Sequence, residues 1–137
     1  RAINETLERR VDEALAERAG GSARSAILLT QYGGLEIAST LDSLVAARKN
    51  DVGGAFRLAE AVAGRDQAIQ FDIFNRRALE LLSDAASRAA LSGDLARANI
   101  LSDTWHEALD AISETDTYNL DKKQHALTMI DRLKSAM

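Results

Sequence analysis

The residues of this chain best spaced for chemistry lie in its last third. Asp103, His106 and Asp110 fall at i, i+3 and i+7, and Asp121 and His125 at i, i+4, so on helices each set shares a face. Carboxylates and imidazoles converging from two helices can hold iron, manganese or zinc, which makes a helical metal-dependent enzyme one reading. That architecture needs four carboxylates and paired Glu-x-x-His motifs, and only part of the pattern is present. The expected role of these groups is a solvated acidic face with no metal bound. Ser102 and His106 are four apart on one helix, yet no sharp turn exposes the serine as a nucleophile. A nucleotide site needs a Gly-rich turn ending in Gly-Lys-Ser/Thr, and none of the glycine pairs at 20–21, 33–34 and 53–54 leads into a lysine. They read as helix punctuation, and neither a catalytic residue nor a cofactor is expected. Trp105 lies on an apolar stripe and reads as a core residue, with an interface anchor as the alternative. Arg76 and Arg77 read as solvated helix charges, with a subunit contact as the alternative.

Helices must position all of these groups. The chain has 137 residues, 46% of them hydrophobic and 28% charged, with no Pro. Long helices need that absence, because Pro inside a helix costs about 3 kcal/mol. A single domain, or one domain plus the end of another, is the expected size. The absence of Cys excludes a disulfide framework and a thiolate metal site. A net charge of -4 argues against a module that grips phosphates directly. No apolar run is long enough to span a bilayer, and no signal-peptide succession opens the chain at Arg1, so a cytoplasmic piece of a larger protein is the expectation.

Apolar periodicity gives the elements. A helix over about 3–18 places Leu7, Val11, Ala14 and Leu15 on one face, and a short one follows over 23–32. Between them Gly20 and Gly21 end the first, and Ser22 caps the second. Ile37, Leu41, Leu44 and Val45 mark a helix over 35–49; Asp51 is its successor's N-cap, and Val52, Phe56, Ala59 and Ala63 carry that successor. Asp66 opens the longest helix, to about Leu91, with Phe71, Phe74, Ala78, Leu81, Leu82 and Ala85 as its core stripe. After the Ser92-Gly93-Asp94 stop, Leu95, Ala98, Leu101, Trp105, Leu109 and Ile112 mark a further helix, and the polar run 113–117 reads as its frayed end or a loop. A last helix from Asp121 turns Ala126, Ile130 and Leu133 inward.

Three segments carry a family resemblance. Gly21-Ser22-Ala23-Arg24-Ser25-Ala26 is similar to the sensor-2 segment at the head of the last lid helix in AAA+ clamp-loader subunits. Leu28-Leu29-Thr30-Gln31-Tyr32-Gly33-Gly34-Leu35-Glu36 is similar to their passage from lid to collar, and Tyr118-Asn119-Leu120-Asp121-Lys122-Lys123-Gln124 resembles the Asn-led start of their last collar helix. In order and spacing they cover nearly the full length, and the chain resembles the C-terminal part of delta-prime-type subunits of bacterial DNA polymerase III clamp loaders. The resemblance implies an all-α fold: residues 1–33 as the two-helix end of an AAA+ lid, and residues 34–137 as a collar bundle of about five helices. It implies a non-catalytic scaffold role in DNA replication, the collar packing beside the collars of other loader subunits while their ATPase modules load the sliding clamp. The clamp and DNA are reached only through the full complex, no membrane is involved, and the isolated chain can self-associate. Arg24 matches the sensor-2 position and, without nucleotide, braces the lid. Tyr118, Asn119 and Gln124 are the implied polar interface positions, and exposed aliphatic residues on the longest helices should form the contact surface. A stand-alone helical adaptor that dimerises is the remaining alternative.

Overall fold

The computed structural model describes residues 33–137, which form five helices: α1 (Gly34–Ala46), α2 (Val52–Ala63), α3 (Ala68–Leu91), α4 (Leu95–Thr117) and α5 (Lys122–Ala136). The expected helices over 3–18 and 23–32, and Arg24 with them, lie outside the described residues. The fold of the described part is an all-α bundle, as its composition and periodicity imply. α3 pairs most extensively with α4, α1 packs on α3, and α5 lies against α2, α4 and α1.

Each helix begins and ends where local chemistry requires. Gly33 precedes α1 at φ 70, a left-handed conformation that suits glycine. α1 stops at Ala46 rather than at Lys49, because Ala47 turns extended and Lys134 Nζ donates to the Leu44 and Ala47 carbonyls, at 3.0 and 2.7 Å. A cation from α5 thus satisfies main-chain oxygens that a longer helix would have paired internally. Asp51 caps α2 as expected, accepting from Gly54 N at 2.9 Å. α3 begins one residue beyond Gln67 and is not opened by Asp66; Gln67 instead folds back, its Oε1 accepting from Gly64 N at 3.0 Å. Between α3 and α4, Gly93 sits at φ 83 while Asp94 N donates to Ala89 O and Gly93 N to Ala90 O, a Schellman stop, and Asp94 then caps α4.

Two expected faces turn out rotated. On α2 the buried residues are Gly54, Leu58, Ala59 and Val62, leaving Val52 and Phe56 exposed. On α4 they are Leu101, Thr104, Ala108 and Thr115, while Leu95 and Leu109 are exposed and Trp105 is half-buried. On α2 Leu58 and Val62 take the core face in place of Val52 and Phe56, whereas on α4 the contact line is made largely of small side chains. Ala78, Ala85 and Ala89 of α3 are buried in the same core as Leu101 and Ala108 of α4, and small residues there let two helices approach closely. Larger side chains are displaced to the flanks. The run 113–117 is helical, not frayed, because Thr115 turns inward and its hydroxyl donates to Ala111 O at 2.7 Å. On α3 and α5 the expected stripes hold: Phe71, Phe74, Ala78, Leu82 and Ala85 are buried, with Leu81 at the margin, as are Ala126, Ile130 and Leu133.

Candidate interaction surface

The candidate chemical groups are not brought together. Ser102, Asp103, His106 and Asp110 all stand exposed on α4, and the His106 ring meets Trp105 edge-on at 5.1 Å. Asp121 spends a carboxylate oxygen on Gln124 N at 3.1 Å, capping α5, whereas His125, one turn on, faces the core. Among the described residues no group of three or more His, Cys, Asp or Glu side chains could hold a metal ion.

His125 instead ties three helices. Its Nε2 lies 2.8 Å from Asn75 Oδ1 on α3, its Nδ1 lies 3.1 Å from Thr115 Oγ1 on α4, and its ring leans on Phe71 with centroids 5.3 Å apart. His125 and both of its polar partners are buried. Burial, and then the positive charge of Arg132, push the His125 pKa down to about 4. The imidazole is therefore neutral near pH 7, with one N–H. With Asn75 Oδ1 facing the ring, Nε2–H donates to it, and Nδ1 is left as an acceptor beside the Thr115 hydroxyl, whose single hydrogen is shared between Nδ1 and Ala111 O. Solvent has little access to the ring, so the cluster fixes helix packing rather than presenting a reactive group. Periodicity alone could not reveal it, since Asn75 and Thr115 read as polar surface until a partner ten or fifty residues away is known.

Tyr118, Asn119 and Gln124 gather at the α4–α5 corner, and all three are exposed. Asn119 has a backbone reason for its identity: it sits at φ 50, and Leu120 N donates past it to Thr115 O at 3.0 Å. That is the left-handed position after a helix, which Asn tolerates better than other side-chain-bearing residues. Gln124 Nε2 donates to Thr128 Oγ1 at 3.3 Å along its own helix.

The broader surface follows from the handedness of the α3–α4 hairpin. In two antiparallel right-handed helices, residues one place after each contact position fall on the same side of the pair, and those one place before fall on the other. The "before" side is covered: Arg77, preceding Ala78, bonds to Asp42 of α1 at 2.8 Å, and Glu107, preceding Ala108, approaches Arg132 of α5 to 4.0 Å. The "after" side carries Leu79 and Ala86 on α3, then Trp105 and Leu109 on α4, with Ala98 and Ile112 beside them. Most are half-buried against the core edge, and Leu109 is 41% exposed. Among the described helices α1 and α5 pack on the other side, and the polar residues bordering this strip are Ser83, Ser102, His106 and Ser113, with charge entering at its far end through Asp72, Arg76 and Asp116. An apolar strip with few charges is the composition of the buried centre of a protein–protein interface.

Compared with known proteins, this chain matches no family model, no curated protein and no solved structure.

Proposed function

We propose that this chain is a non-catalytic scaffold module, a collar-type bundle that packs against the helical collar domains of other clamp-loader subunits through the α3–α4 flank. The observation that carries the reading is the strip of Leu79, Ala86, Trp105 and Leu109, left partly exposed on the two longest helices while α1 and α5 pack on the opposite side. Exposed aliphatic residues on the longest helices are what a side-by-side collar contact requires. The sequence resemblance in the segments around Arg24, Gly33 and Asn119 supplies the identity of the neighbours. Trp105 supports the reading as an anchor at the edge of the core, a side chain type enriched where binding energy concentrates.

The test is co-elution of the 137-residue chain with the remaining loader subunits at micromolar concentration, repeated with Leu109→Glu and with Leu79→Glu. Both positions lie at the margin of the core, so circular dichroism checks that the fold persists. The expected outcome is a stable complex with the unaltered chain, weakened at least about tenfold by either carboxylate, because burying an unpaired charge costs more than 1.4 kcal/mol. Failure to co-elute sinks the loader assignment. Self-association that Leu109→Glu abolishes, without capture of loader subunits, supports the dimerising adaptor instead.

A further inference from the structure

On the covered side of the hairpin, the second halves of α1 and α3 leave an open groove of about 650 Å³. Val45, Leu81, Ala85 and Ala89 form its floor, and Met137 closes one end. Arg88 and Arg97 stand on its rim, Arg97 Nη2 donating to the Met137 main-chain oxygen at 3.2 Å. Asp42 is the acid among the lining residues, and Arg77 binds both of its oxygens, at 2.8 and 3.1 Å.

The positive sign continues past the rim. Lys134 reaches the Leu44 and Ala47 carbonyls, and Arg48 and Lys49 follow directly in the chain, both exposed. Asp94, at the same end, is engaged by Arg97 N. A chain of net charge -4 therefore gathers cations around one apolar groove. Leu91, 90% exposed next to the groove-lining Ser92, adds an apolar lip.

We infer that this groove binds a short acidic segment of a partner protein, which seats one or two large apolar side chains on the Val45–Leu81–Ala85 floor and sets carboxylates against Arg88 and Arg97. An apolar floor rewards aliphatic burial and gives a phosphate backbone nothing to pair with, and no aromatic residue lines the groove to stack a base. Guanidinium groups at the rim fit carboxylates by paired hydrogen bonds. The groove lies across α3 from the flank that carries Leu79 and Trp105, so this inference stands independently of the scaffold assignment.

The probe is a fluorescein-labelled helical peptide of about four turns, with Leu along one face and Glu on both flanks. Its counterparts carry Lys for Glu, or Ser for Leu, and a short oligothymidylate serves as the nucleic-acid arm. Anisotropy with the 137-residue chain should show saturable binding of the acidic Leu peptide alone, weakened roughly tenfold by Arg88→Gln/Arg97→Gln and by raising salt to about 0.5 M. Amide shifts should map to Val45, Leu81, Ala85 and Ala89. Several results overturn the inference: no saturable binding of the acidic peptide at concentrations on the order of 1 mM, equal binding of the Lys peptide or of the oligothymidylate, or shifts confined to the Trp105 side. The salt series needs no variant, so a fold defect in the double substitution leaves the test intact.

Discussion

Lowering the pH should destabilise this bundle through one side chain, His125. The fold holds its neutral form: the pKa is pushed from the usual 6.5 down to about 4 by burial and by Arg132. Between those values the unfolded chain binds a proton that the folded chain refuses, so stability is fully present above pH 6.5 and falls as the pH drops toward 4. Linkage makes the loss from this group about 2 kcal/mol by pH 5 and about 3 kcal/mol by pH 4. That is a large part of a domain stability of roughly 5–15 kcal/mol. The hydrogen bonds are not the cause: Thr115 Oγ1 can accept from a protonated Nδ1 while its own hydrogen stays on Ala111 O. The cost lies in the charge, which is buried, faces the positive Arg132 and has no carboxylate among its contacts.

The measurement is urea unfolding of the unaltered chain and of His125→Gln at several pH values from 7.5 to 5, at fixed ionic strength. Carboxylate titrations are common to both proteins and cancel in the difference. The difference in unfolding free energy should narrow by about 2 kcal/mol across that range. Proton NMR of the His125 ring should place its midpoint well under 6. A flat difference curve, or a ring that titrates at 6 or above, refutes the argument from burial.

Other substitutions read single contacts. Thr115→Val removes the hydroxyl that His125 Nδ1 meets and should cost about 1–3 kcal/mol in urea unfolding, the penalty of a buried acceptor left alone. Gly54→Ala should cost about 1 kcal/mol or more in the same assay, because the added Cβ collides with the Asp51 carboxylate that caps α2 and crowds Leu44. Asn119→Gly should leave thermal stability nearly unchanged, whereas Asn119→Val should lower unfolding free energy by about 1–2 kcal/mol, since only the latter is strained at positive φ. Comparing the two glycine and valine variants in the co-elution assay then separates a backbone role for Asn119 from an interface role: association unchanged by glycine identifies the former.

Helix existence was legible because it rests on local signals. Asp51, Gly93 and Asp121 announce their caps and stops in neighbouring residues, and the hydrogen bonds they make span three to five positions. Helix orientation was legible only where the core face is made of large side chains, as with Phe71, Phe74 and Leu82. On α4 the face is Leu101, Thr104, Ala108 and Thr115, and apolarity pointed instead to Trp105 and Leu109, which flank it. Thr104 and Thr115 can be buried because each hydroxyl returns to the carbonyl four residues back, at 2.8 and 2.7 Å, a satisfaction that a hydropathy pattern does not register. The candidate ligands Asp121 and His125 share a face by spacing, yet one caps the helix and the other enters the core, because the first turn of α5 is already committed to capping.

That displacement of α4 links the fold to the proposed function. Had Trp105 and Leu109 filled the core, α3 and α4 would stand further apart and the flank would be polar, as the outer face at Asp103 and Asp110 is. Alanine and threonine in the contact line instead bring the helices together and move the large side chains to the edge, where part of their surface stays available. The side on which they emerge is then fixed by the covered one: Arg77 holds α1 through Asp42, and Glu107 faces α5 through Arg132. With α1 and α5 on that side, the remaining flank is where the two longest of the described helices offer an apolar strip to another bundle. A neighbouring collar laid along it would bury the half-exposed portions of Leu79, Trp105 and Leu109 together, which is the non-directional gain that side-by-side assembly of helical domains needs.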